Sequence, residues 1–172
     1  VLTYSAANID VDLDLEIDTE APFANLSVWE ALKQVLIASN SVVYIDNETI
    51  MVQGRNYKTG SLSYFYGPGD TLDRENIIGI KEYNNGAHRI FNSITVNDTN
   101  YPDTQSILWF GLSEITFTFD FITDTDKETL IARNLVEQFR YPRIEFQMTV
   151  STDLANAVDF FDTIGVSHPL RG

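Results

Sequence analysis

Five acidic side chains recur at every second position near the start of the chain: Asp10, Asp12, Asp14, Glu16 and Asp18. Carboxylates this dense could hold a divalent cation, because hard cations take oxygen ligands. Asp10-x-Asp12-x-Asp14 opens like a calcium-binding loop. The match then fails. Leu15 stands at the sixth position, where such a loop needs glycine, and Ala21 at the twelfth, where it needs a bidentate glutamate. Side chains two apart on a strand also sit ~7 Å apart along it, too far to converge without a bend. The stripe therefore reads as a solvated face that discourages edge pairing, or as an interface that steers a basic partner into place.

Other chemistry-bearing residues are scattered. His88 and His168 lie in separate segments with neither His-x-x-x-His nor Glu-x-x-His spacing, so no zinc site is expected. No Gly-x-Ser-x-Gly turn exposes a nucleophile. Gly67-Pro68-Gly69-Asp70 is turn chemistry and lacks the Lys-Ser/Thr ending of a phosphate loop. Glu145, between Ile144 and Phe146, would be the carboxylate to raise in an apolar cleft for glycoside cleavage. On an alternating strand such a residue more often faces solvent. The expectation is no catalytic residue, no cofactor and no metal. Aromatics are abundant, with eleven Phe, eight Tyr and two Trp. Tyr64 and Tyr66 alternate with Phe65 and join the acidic stripe as candidate interface residues. Trp109-Phe110 could likewise anchor a partner or stack a sugar.

These residues must be carried by identifiable elements. Ile9, Val11, Leu13, Leu15 and Ile17 alternate with the carboxylates, so residues 9–17 are expected to form a strand with one buried face. Ser27 and Glu30 form a capping box. The helix they open carries Val28, Leu32, Val35 and Leu36 on one stripe and ends near Ser39-Asn40. Val42–Ile45 and Ile50–Val52 flank Asp46-Asn47-Glu48-Thr49 as a hairpin. Further strands are expected at 61–66, 77–83, 91–96, 106–110, 114–122, 143–150 and 158–166, with a turn at Asn84-Asn85-Gly86. A second amphipathic helix, capped by Thr125 and Glu128, carries Leu130, Ile131, Leu135 and Phe139 and closes at Tyr141-Pro142.

The chain thus reads as α+β, mostly antiparallel β with two amphipathic helices. The expected division is a strand–helix–hairpin unit at 1–57, a loop-rich connection at 58–76, and a barrel-like antiparallel sheet subdomain with one helix at 77–172. Its 172 residues are 44% apolar, enough for a sizeable core, and contain no cysteine. The net charge of −14 disfavours nucleic acid and anionic lipid as partners, since both require Lys and Arg to displace counterions. No run of eighteen apolar residues spans a membrane. A start at Val1-Leu2-Thr3-Tyr4 without Met, and an end at Pro169-Leu170-Arg171-Gly172, read as an excised piece of a longer chain.

One order of segments goes beyond composition. Ile90-Phe-Asn-Ser-Ile-Thr-Val96 precedes Asp103-Thr-Gln-Ser-Ile-Leu-Trp-Phe-Gly111. Glu114-Ile115, the helix at 125–139, Tyr141-Pro142-Arg143 and the 158–166 strand follow. This order resembles the hub proteins of phage tails and related injection machines, whose strand "N-x-V-x-V" precedes "D-x-x-S-I-x-x-Y-G". The earlier Trp29–Leu32, Tyr44–Asp46 and Ile50–Val52 segments are similar to the part before it, so the likeness covers most of residues 24–168. Phe110 stands where the family has Tyr, and Phe160-Phe161-Asp162 where it has "L-G-D". The resemblance implies small barrel-like sheets packed into a homo-oligomeric ring. It implies a virion-tail protein that joins tail tube to baseplate or tip, with other tail and baseplate subunits as partners. Two other readings compete: residues 9–52 also resemble the small N-terminal domains of secretins and outer-membrane receptors, and tail proteins sometimes carry a cell-wall hydrolase.

Overall fold

A computed structural model of the chain describes residues 9–11, 13, 15–19, 21–55, 64–66, 77–84, 89–143, 145–157 and 164–166. It is α+β, and it divides into two compact units that are each discontinuous in sequence. The first combines Val1–Arg55 with Ala87–Arg143, and the second combines Asn56–Gly86 with Ile144–Gly172. Residues 77–86 group with 56–76, and 144–172 return to join them.

The first unit opens with β1 (Ile9–Asp10), which pairs in parallel with β3, Ile9 opposite Val52. The alternating segment was expected to stay a strand to Ile17, but pairing stops at Asp10. Farther along, Asp18 is drawn to a different part of the unit, where its N–H donates to the Phe121 carbonyl at 3.0 Å. A 3-10 turn, Ala21–Asn25, leads to α1 (Val28–Ala38). The capping box forms: Glu30 N–H donates to Ser27 Oγ at 3.2 Å, and Ser27 N–H donates to Glu30 Oε2 at 3.0 Å. These bonds satisfy orphan donors of the first turn. The hairpin also forms, β2 (Ser41–Asp46) against β3 (Thr49–Gly54). Its two-residue turn holds Asn47 at φ 44° and Glu48 at φ 64°, the mirror-image turn whose twist suits a hairpin.

The second sheet of this unit has the order β7-β6-β8. β6 (Ser93–Val96) pairs antiparallel with β7 (Thr99–Pro102) and parallel with β8 (Glu114–Phe117). Residues 106–110 were expected to be a strand and instead belong to a helix, α2 (Thr104–Phe110). A short apolar run does not distinguish the two by periodicity. The cap decides it: Asp103 is extended (φ −96°, ψ 101°) and its carboxylate accepts from Ser106 N–H at 2.7 Å. Gly111, at φ 80°, ends the helix in a conformation that favours glycine. The strand after it ends at Phe117 rather than at 122.

The next helix, α3 (Thr125–Phe139), is capped by Asp124, whose side chain accepts from Asp126 N–H at 2.8 Å, and not by Thr125. Glu128 is consequently free of capping and turns inward, where it is buried. Asn97 Nδ2 donates to its Oε1 at 2.8 Å and Thr99 Oγ1 to its Oε2 at 2.6 Å. Asn97 also accepts from Phe119 N–H at 2.8 Å, tying the β6–β7 turn to the residues before α3. Ile131, Ala132, Leu135 and Val136 of α3 pack with Ile94, Val96, Phe119, Phe121 and Ala38 in one hydrophobic core.

In the second unit β4 (Tyr64–Tyr66) pairs in parallel with β10 (Ile164–Val166). β5 (Ile77–Asn84) pairs antiparallel with β9 (Glu145–Val150), with register shifts between Ile77 and Gly79 and between Ile80 and Glu82. A helix absent from the sequence reading, α4 (Thr152–Ala157), follows β9. Among the described residues three ladders are antiparallel and three parallel. The antiparallel ladders are on the whole the longer ones, and the short parallel ones make the small sheets partly mixed.

Candidate interaction surface

The acidic residues do not share one role. Asp12 and Asp14 lie outside the described residues. Asp10 pairs through its backbone with Gln53. The Glu16 carbonyl accepts from Lys127 Nζ at 2.9 Å. Asp18 is a structural anchor. Its Oδ2 accepts from Thr123 N–H at 2.8 Å and Asp124 N–H at 3.1 Å, just ahead of α3, and its Oδ1 forms an ion pair with Lys127. The Lys127 ammonium, then the Thr123 and Asp124 amides, hold its carboxyl down at about 2. Tyr64 and Tyr66 sit in β4 of the second unit, opposite Ile164 and Val166. Glu145 begins β9. His88 and His168 lie outside the described residues. Among the described residues no group of three or more His, Asp or Glu is arranged to hold a metal.

What the sequence reading only touched is the outer face of α2. This helix has its polarity inverted. Ser106 is fully buried, whereas Leu108, Trp109 and Phe110 are 78%, 62% and 46% exposed. Leu112, just beyond, is 61% exposed, and Tyr141 36%. Trp109 and Tyr141 lie 5.9 Å apart between ring centroids, and Phe110 meets Tyr141 edge-on at 6.3 Å. The Arg140 guanidinium sits over the Tyr141 ring at 5.1 Å. Clustered exposed aromatics with an arginine are the composition of interaction hot spots, whereas single exposed apolar residues are ordinary.

A buried polar knot holds this face in place. Asn92, fully buried, donates from Nδ2 to the Gly111 carbonyl at 2.7 Å and to Ser106 Oγ at 3.3 Å. Its Oδ1 accepts from Ser113 N–H at 2.8 Å, and its own carbonyl accepts from Asp103 N–H at 2.8 Å. Ser106 Oγ donates a hydrogen bond to the Arg140 carbonyl. Arg140 Nη1 in turn bonds Asp103 Oδ2 at 3.0 Å. Asp103 is held below the usual carboxylate range, first by the Ser106 amide and then by Arg140. Asn92 thereby holds both ends of α2, the start through its backbone carbonyl and the end through its side chain, and Ser106 and Asp103 hold Arg140 beside them. The signal available in sequence was the Asn92, Asp103, Ser106 and Gly111 spacing together with Trp109-Phe110. The partnership with Tyr141 was not visible there, because it spans the whole of α3.

Neither the family models nor the curated proteins include a match to this chain. The geometry offers an exposed apolar platform whose arginine, Arg140, is ion-paired with Asp103.

Proposed function

We propose that the chain is a structural component of a phage or prophage tail hub or tip, acting through protein–protein packing in the join between tail tube and baseplate. Its partners on this reading are other tail and baseplate subunits, with copies arranged in a ring in the virion tail. The observation that supports it most is convergence. Asn92, Asp103, Ser106 and Gly111, which carry the resemblance, meet in the one knot that presents Trp109 and Tyr141 outward. The motif then has a physical reason: it builds a contact platform. A separate periplasmic docking module at residues 9–52 fits less well, since Ala38 shares a core with Ile94 and Val136 of the later segment. No helix among the described residues is long and apolar enough to cross a membrane.

The test is binding to the tail-tube and baseplate proteins encoded beside its gene. Leu108→Ser with Trp109→Ala, both surface changes, should leave thermal stability within about 0.5 kcal/mol and weaken binding at least tenfold. Unchanged binding, or a gene neighbourhood without tail proteins, would overturn the reading.

A further inference from the structure

Charge around the α2 face differs from that of the chain as a whole. Asp and Glu number 25 against 11 Lys and Arg, a balance that in general suits a basic partner. Residues 104–113 carry no charge at all. Asp103, just before them, is taken up from within, by Ser106 N–H at 2.7 Å and by Arg140 Nη1 at 3.0 Å. The acids on either side are Glu114, at the start of β8, and Glu137, which bonds Arg133 at 3.4 Å. Two arginines stand beside Tyr141. Arg140 lies over its ring at 5.1 Å. Its Nε is buried without an acceptor, and among the described residues its Nη2 has none either. Arg143 is exposed and has no acidic partner among the described residues. In a chain this rich in carboxylates, an arginine beside an aromatic cluster is left without one.

We propose that the partner segment seated on this face is acidic: a stretch of protein that mixes carboxylates with apolar side chains. Its apolar groups cover Trp109 and Tyr141, and its carboxylates close on Arg143 and on the open Nη2 of Arg140. Charge complementarity selects this occupant. A guanidinium fork matches a carboxylate in geometry as well as in sign. A basic segment would set its cations against both arginines, and a purely apolar one would cover guanidinium donors that have no acceptor. The net charge of −14 does not reverse the choice, because acids farther than a Debye length of ~8 Å are largely screened at physiological ionic strength. Aromatic groups that exclude water strengthen the pairs that form beside them. The proposal rests on the reading of α2 as the contact platform and adds the chemistry of what it meets.

The chain has two tryptophans, and Trp29 is half-exposed, so Trp29→Phe leaves Trp109 as the sole fluorescent reporter on the platform. Three soluble peptides of one design, interleaving Leu and Phe with Glu, Gln or Lys, are titrated into the full chain. The Glu peptide should bind about tenfold tighter than the Gln peptide, and the Lys peptide weaker than either. Arg143→Glu, an exposed change, should reverse the order of the Glu and Lys peptides. It should leave the Gln peptide within about twofold, which shows that the aromatic surface is intact. A Gln or Lys peptide that binds as tightly as the Glu peptide, an order that survives Arg143→Glu, or no response of Trp109 to any peptide overturns the proposal. If the chain still binds its tail partners through Trp109 in that case, the assembly reading stands and only the acidic partner falls.

Discussion

Replacing Asn92 with alanine removes the side chain on which the α2 platform hangs. Two backbone groups lose their partners, the Gly111 carbonyl and the Ser113 amide, at 2.7 and 2.8 Å in the native protein. Both bonds are part-buried, so water replaces part of what is lost: each costs about 1 kcal/mol, and the small cavity left by a fully buried side chain adds to it, giving about 2–4 kcal/mol for the variant. At about 2–4 °C per kcal/mol for a chain this size, the melting temperature falls by roughly 4–16 °C. The assay is convenient, because both tryptophans, Trp29 and Trp109, belong to the first unit. Their fluorescence in a urea titration therefore reports that unit. Asn92→Asp sharpens the test. Its carboxylate would face the Gly111 carbonyl acceptor to acceptor, so the folded state favours the protonated acid and its pKa lies above the unfolded value. The deficit against wild type is then full at high pH and shrinks as pH falls through the raised pKa. An alanine loss below about 1 kcal/mol, or an aspartate deficit independent of pH, would refute the knot as the support of this face.

Asp18→Asn removes the ion pair with Lys127. Asp18 titrates at about 2 when folded, below an unfolded carboxylate. Its ionisation thus stabilises the protein above pH ~4 and ceases to do so as pH falls toward 2. The melting temperatures of wild type and variant should converge over that window, and a gap constant from pH 6 to pH 2 would count against the anchor. Glu48 sits at φ 64° in the β2–β3 turn, where a side chain is disfavoured. Glu48→Gly should raise stability by about 0.5–1 kcal/mol, seen as a higher urea midpoint; a lower midpoint would refute the strain argument.

Local signals were legible where the chemistry was local. The Ser27–Glu30 box and the β2–β3 hairpin could be read because each is completed within a few residues. The apolar stripe of α3 was equally clear, but its cap was not. Asp124 and Thr125 are both good caps, and Glu128 is claimed by Asn97 and Thr99 from about 30 residues away. The α2 helix was hidden because its apolar residues face outward, so no buried periodicity marks it. Parallel pairing of β6 with β8, and the return of 144–172 to the second unit, depend on contacts between distant segments. Of the candidate site, Trp109-Phe110 was noticed as a pair; its setting against Tyr141 and Arg140 required the fold.

The bond from Asp18 to Thr123 spans 105 residues, and this has a consequence for how the protein is made. At roughly 5–20 residues per second on the ribosome, Asp18 waits roughly 5–20 s for its amide partners to be synthesised. Phe121 and Ile122, which complete the groove under the alternating segment, arrive equally late. For that interval Ile9, Val11, Leu13 and Leu15 have an unfinished seat. The carboxylates interleaved with them then act as solubilising gatekeepers of a nascent chain, a task they perform before any folded surface exists.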